Sequence, residues 1–106
     1  MFPKANRLSG PDFANLSDAQ KKMFGWFFIK YKKSQIMKIS VIVPKKIEKS
    51  AVKRNKMKRR VLHILKSKLN TPVDNYLIAI YLTKNILNYP QVDLESDIQK
   101  MTQVLR

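Results

Sequence analysis

Between positions 45 and 60 the chain reads Lys45-Lys46-Ile47-Glu48-Lys49-Ser50-Ala51-Val52-Lys53-Arg54-Asn55-Lys56-Met57-Lys58-Arg59-Arg60, nine cationic side chains against one acid. Apolar residues are threaded through it at helical spacing, so the segment is suited to face a polyanion while belonging to a folded domain. Side chains for covalent chemistry are sparse by comparison. The acids Asp12, Asp18, Glu48, Asp74, Asp93, Glu95 and Asp97 are scattered or sit where helices should begin, and His63 is the single histidine. With no cysteine there are no disulfides or thiolate metal sites, and one histidine cannot build a zinc site. No glycine-rich phosphate loop is present, which removes the usual nucleotide-binding motifs. The chemistry on offer is binding of phosphates, with no constellation for cleaving them.

The net charge of +15 is regional. Residues 1–70 hold 19 basic and 3 acidic side chains, whereas residues 71–106 hold 3 basic and 4 acidic ones. A compact chain of this charge repels itself until a partner neutralises it, and nucleic acid is the abundant polyanion. No apolar run approaches a spanning length and no signal-peptide pattern opens the chain, so a soluble intracellular protein is expected.

A chain of 106 residues with 44% hydrophobic content has room for one small domain with a core. Residues 1–8 read as an irregular basic arm. Ser9-Gly10-Pro11-Asp12 opens a short helix bearing Phe13 and Leu16. Trp26 to Lys32 alternates as a strand, with Trp26, Phe27 and Phe28 read as core at least in part, and Met37 to Val43 is a second strand. The short link between them predicts an antiparallel hairpin. After Pro44 a helix is predicted over 50–69, with Ser50 as N-cap. Met57, Val61, Ile64, Leu65 and Lys68 form its stripe, and the adjoining row Arg54, Lys58, Leu62, Leu65, Leu69 turns from basic to apolar. Buried unpaired cations are costly, so the first turns must project past the core. Tyr76 to Leu82 is a nearly continuous apolar run, expected as a central strand. Leu94, Ile98, Met101 and Leu105 define a final helix over 93–105.

The basic helix resembles one family, the bacterial ribonuclease P protein subunit. Lys45-Lys46, a spacer and Ala51-Val52-Lys53-Arg54-Asn55-Lys56-Met57-Lys58-Arg59 are similar to that family's paired lysines after a strand, its Arg-Asn-Arg signature and a following Lys-Arg. Asn6-Arg7-Leu8 with Asp12-Phe13, and Asn75-Tyr76-Leu77-Ile78, agree in order. The resemblance implies an α+β fold, a small two-layer α/β sandwich in the order α-β-β-(β)-α-β-α, like the ribosomal protein S5 domain 2-like fold. It also implies a subunit that joins a catalytic RNA, the ribonuclease P RNA, to remove the 5′ leader of precursor tRNA. In that family Mg²⁺ held mainly by the RNA does the chemistry, and the protein carries no catalytic residue. By resemblance Lys45, Lys46, Lys53, Arg54, Asn55, Lys56, Lys58 and Arg59 contact RNA, and Phe13, Ile29 and Tyr31 line a cleft for the leader. Guanidinium groups pair bidentately with phosphate, and aromatic faces stack on bases. A monomer within a cytoplasmic ribonucleoprotein is implied, with neither membrane nor DNA as partner.

The sequence departs from the family pattern at three places. Lys56 replaces the signature's second arginine, which keeps the charge and loses the planar fork. Ser17 stands where a second aromatic is usual, and Leu62 where an arginine is usual. A ribosomal or other structural RNA-binding protein is the alternative, sharing size and charge but without a role in processing. A stand-alone nuclease fits poorly with the scattered acids. A membrane-surface binder would need a broader apolar face on the basic helix.

Overall fold

The structure is a computed structural model that describes residues 16, 19–34, 37–68 and 76–105. The basic arm, Phe13, Ser17 and the expected first helix lie outside the described residues, apart from Leu16. Four strands and two helices follow one another: β1 (Gln20–Met23), β2 (Phe27–Lys33), β3 (Lys38–Ile42), α1 (Ala51–Lys68), β4 (Tyr76–Leu82) and α2 (Gln91–Val104). They form an α+β sandwich, one sheet against one helical layer.

The sheet order is β1-β2-β4-β3. β2 pairs antiparallel with both β1 and β4, and β3 pairs parallel with β4. The expected hairpin between the strands at 26–32 and 37–43 is therefore corrected, because β4 lies between them. The reason is in β4 itself. Its residues are almost all buried, Ile78, Ile80 and Leu82 against the helices and Leu77 and Ala79 against Leu16, and its two edges are covered by β2 and β3. β2 and β3 each alternate lysine or serine with apolar residues and tolerate one wetter face. The link from Lys33 to Lys38 has to pass one intervening strand, about 10 Å, within the reach of four residues.

The hairpin that does form is β1–β2. Phe24 N–H donates to Phe27 O at 2.8 Å to close it. Gly25 in the turn faces α2 so closely that a Cβ there would lie 2.6 Å from Asp97 Oδ2. β1, Gln-Lys-Lys-Met, is exposed throughout and has no apolar alternation, which is why periodicity does not reveal it. Its lysines suit an outer edge, where charge discourages further strand pairing.

Register sorts the sheet into two faces. Phe27, Ile29 and Tyr31 share one face with Ile78, Ile80 and Leu82 across the ladder. That face packs on Met57, Val61, Ile64 and Leu65 of α1 and on Leu94, Ile98 and Met101 of α2, forming the main core. The opposite face carries Lys21, Met23, Phe28, Lys30, Lys32, Leu77, Ala79, Tyr81, Lys38, Ser40 and Ile42. There Leu16 packs with Leu77 and Ala79 in a small satellite cluster.

Ser50 caps α1, its Oγ accepting from Lys53 N–H at 3.3 Å while its carbonyl accepts from Arg54 N–H at 2.9 Å. Met57, Val61, Ile64 and Leu65 of the expected stripe are buried. α2 begins two residues earlier than expected, at Gln91. Pro90 precedes it with φ −59°, and its carbonyl takes the N–H groups of Asp93 and Leu94 at 3.1 and 3.4 Å. Among the described residues no helix is long and apolar enough to cross a membrane.

Candidate nucleic-acid interface

An α-helix turns about 100° per residue, so Arg54, Asn55, Lys58 and Arg59 occupy one arc of roughly 140° on the first two turns of α1. Met57 and Val61 point to the core on one side of that arc, both fully buried. Asn55 and Arg59 are exposed, Arg54 and Lys58 half-buried, as expected where a helix leaves its core. Lys53 and Lys56 are also exposed but project from the helix outside this arc. Lys45 and Lys46 stand exposed in the turn that follows β3. β3 is an outer strand among the described ones, and this turn joins it to α1.

The segment from Pro44 to Ser50 is tightly tied. Ile47 and Glu48 N–H donate to Pro44 O at 3.0 and 3.4 Å. Arg54 Nη1 donates to Glu48 O at 3.0 Å and Lys49 O at 2.8 Å, so one nitrogen of this guanidinium is a structural clamp. Glu48 Oε2 accepts from Ser50 N–H at 3.1 Å and Oε1 from Asn85 Nδ2 at 3.3 Å. Its pKa is lowered from the ordinary 4.5: the Ser50 N–H bond is the largest cause, desolvation opposes it, and the charge of Lys53, the Asn85 amide and the Lys49 N–H add to the lowering.

Arg60, one of the nine cations of the basic segment, turns away from this surface. Its Nη1 donates to Ile86 O at 2.8 Å, its Nη2 to Tyr89 O at 2.5 Å and its Nε to Gln91 Oε1 at 3.4 Å. It thereby fixes the β4–α2 loop against α1. No sequence signal separates it from Arg59. Only the path of residues 83–90 gives it these carbonyls.

On the other sheet face lies Phe28, expected as core at least in part, with Tyr81 and two lysines beside it. The rings of Phe28 and Tyr81 stack 4.9 Å apart at 10°. Lys21 Nζ lies 4.4 Å from the centroid of Phe28, and Lys30 Nζ 5.8 Å from that of Tyr81. Both aromatics are half-exposed. Cations beside aromatic faces make a surface suited to bases and phosphates together.

Of the residues expected to line a leader cleft, Ile29 and Tyr31 lie on the helix-facing side of the sheet. Ile29 is fully buried in the main core, so it supports the sheet and does not offer a contact surface. Tyr31 is half-buried, its ring edge-on to Tyr76 at 5.8 Å, beside a cavity of about 310 Å³ lined by Ala19, Gln20, Tyr31, Lys32, Lys33 and Tyr76. Phe13 lies outside the described residues. The signal that identifies the open face was present: in Phe27-Phe28-Ile29-Lys30-Tyr31-Lys32, the lysines mark the wetter parity, and Phe28 shares it.

The sequence profile of the Ribonuclease P family matches residues 2–106. The ribonuclease P protein component of Mycoplasma mobile is 31% identical over 91 residues, covering 85% of this chain and 80% of that protein. The chain belongs to the ribonuclease P protein family.

Solved ribonuclease P proteins share its fold. That of Staphylococcus aureus superposes with a TM-score of 0.80 at 18% identity, covering 97% of this chain and 100% of the other. That of Thermotoga maritima gives 0.82 at 17% identity, covering 94% and 97%. At such identity the likeness speaks for the fold alone. In this ribonuclease P protein, Leu62 is half-buried against the main core and continues the arc of Lys58 toward it. An arginine there would extend the basic arc by a turn, and leucine ends it instead.

Proposed function

We propose that this ribonuclease P protein binds the catalytic RNA of its holoenzyme through Arg54, Asn55, Lys58 and Arg59, with Lys45 and Lys46 at the adjoining turn, and that the open sheet face receives the single-stranded 5′ leader of precursor tRNA. The observation that carries this reading is the arc of α1 held clear of the core. Family membership supplies the enzyme to which it belongs. Arg54 is anchored by Nη1, which orients its Nε–Nη2 edge as a fork for a phosphate. Lys58 and Arg59 add charge one turn on, and Asn55 brings an amide able to pair with phosphate, ribose or base edge. Lys53 and Lys56 contribute to the general positive field from the helix flank.

The protein's part in 5′ maturation is to bind, orient and neutralise. Clustered cations lower the cost of bringing two RNA chains together, and the Phe28–Tyr81 pair offers ring faces to leader bases without sequence preference. Among the described residues no group of three or more His, Asp or Glu side chains converges as a metal site. Glu48 is engaged by Ser50 and Asn85, and Asp97 lies 3.7 Å from Lys100 Nζ. On the family resemblance, phosphodiester hydrolysis is assigned to Mg²⁺ held mainly by the partner RNA, which would activate water without a side-chain nucleophile. The protein acts as one copy in a cytoplasmic ribonucleoprotein.

The test is cleavage of labelled precursor tRNA at low Mg²⁺ by a bacterial ribonuclease P RNA, with and without this protein. Stimulated cleavage at the mature 5′ end is the expected outcome. Tight RNA binding without stimulation would instead support a structural RNA-binding role, and cleavage without added RNA would overturn the assignment of catalysis to the RNA.

A further inference from the structure

Glu48 is the one acid among the cations of residues 45–60, and by Coulomb's law alone it opposes phosphate binding there. Its hydrogen bonds point the other way. One carboxylate oxygen receives Ser50 N–H beside the N-cap of α1, and the other receives Asn85 Nδ2 from the β4–α2 loop. Asn85 is itself braced, its Oδ1 accepting from Leu87 N–H at 3.0 Å. The same loop is tied back to α1 through Arg60 and the carbonyls of Ile86 and Tyr89. On the other side, Arg54 holds the Glu48 and Lys49 carbonyls. These bonds close a ring from α1 through the 44–50 turn and the 83–90 loop to α1 again. Within it, the side chain of Glu48 joins the turn that bears Lys45 and Lys46 to the loop.

We propose that Glu48 is a positioning residue for RNA binding: its carboxylate bridges Ser50 and Asn85, and so holds Lys45, Lys46 and the Arg54 guanidinium in one arrangement before RNA arrives. The proposal rests on the RNA-binding reading above. Cations at this density repel one another, and lysines on an untied turn would have to be ordered at the moment of binding, which weakens affinity. Fixing the turn in advance outweighs the repulsion of a single partly screened carboxylate. Asn85 shares the role from the opposite loop.

The experiment is a filter-binding titration of the full chain against a bacterial ribonuclease P RNA over a range of salt, well below the melting temperature of every variant. Glu48→Ala raises the net charge by one and would bind tighter if only charge mattered. Positioning predicts binding weaker by roughly five- to tenfold, the scale of one or two lost hydrogen bonds, with an unchanged salt slope because no phosphate contact is removed. Glu48→Gln keeps one acceptor oxygen for Ser50 N–H but sets its NH2 against Asn85 Nδ2, so it binds with an affinity between those of the wild type and Glu48→Ala. Asn85→Ala, which changes no charge, weakens binding in the same direction, and combining it with Glu48→Ala adds little because both cut the same link. Ile64→Val, a core change, lowers the melting temperature without moving affinity, which separates positioning from stability. Equal or tighter binding by Glu48→Ala overturns the proposal, as does an Asn85→Ala variant that binds as tightly as the wild type. If the wild-type protein shows no salt-dependent binding to this RNA, the RNA-binding reading fails first, and that result is distinguishable from the others.

Discussion

Replacing Phe28 by alanine tests whether the leader lies on the open face of the sheet. Phe28 has one ring face against Tyr81 at 4.9 Å and Lys21 Nζ at 4.4 Å from its centroid, so an arriving base must displace the lysine or stack beyond the pair. Full base–aromatic stacking is worth about 1–3 kcal/mol per base, and this partial occupancy places Phe28→Ala near the lower end, about 1–1.5 kcal/mol or roughly five- to tenfold in affinity. The folded state loses the Phe28–Tyr81 ring contact as well, about 0.5–1.5 kcal/mol, which a half-exposed position tolerates. The assay is fluorescence anisotropy with the assembled holoenzyme, comparing precursor tRNA carrying a leader of several nucleotides with mature tRNA. Affinity for the leader-bearing RNA should fall while affinity for mature tRNA stays the same. Tyr31→Ala, on the helix-facing side of the same strand, should lower thermal stability more and discriminate less between the two RNAs. The reasoning is refuted if Phe28→Ala weakens both RNAs equally, or if Tyr31→Ala alone removes the preference for the leader.

Other consequences separate binding from scaffolding within the basic segment. Arg54→Ala should weaken binding to the ribonuclease P RNA and reduce the magnitude of the salt slope by about one phosphate contact, with filter binding at several salt concentrations as the check. Arg60→Ala should destabilise the fold by about 1–3 kcal/mol, through carbonyls of Ile86 and Tyr89 left without their charged donor, yet leave the salt slope unchanged; thermal melting beside the same titration distinguishes it from Arg54. Glu48 has a folded pKa below its ordinary 4.5, so its stabilising contribution is complete above about pH 4.5 and is lost as pH falls through the lower folded value. The Ser50 amide resonance should therefore titrate with a midpoint below 4.5, a dependence that Glu48→Gln abolishes.

Much of the architecture is local and was legible. Ser50 before a long apolar stripe marks the start of α1, the continuous run Tyr76 to Leu82 marks a central strand, and the basic first turns of α1 had to leave the core because buried cations are costly. β1 was not legible. Four exposed residues carry no hydrophobic alternation, and they become a strand only because the Phe24–Phe27 turn folds them onto β2. The pairing of the second and third strands was misjudged for a similar reason: a short link limits separation but does not say whether another strand enters between them.

A regional excess of cations on an amphipathic helix and the signature of the family are legible in the order of residues alone. Composition and helical period are local properties, and they survive any arrangement of neighbours. Tertiary structure decided which side chains are free to act. Arg54, Asn55, Lys58 and Arg59 share one arc, while Arg60 is drawn to the carbonyls of a distant loop. Phe28 and Lys30 reach the open face because β4 enters beside β2 in a register that turns Ile29 and Tyr31 toward the helices. A one-residue change of register moves every side chain of a strand to the other face, so the lysines of β2 mark the parity of Phe28, but only the pairing with β4 sets Tyr81 beside it.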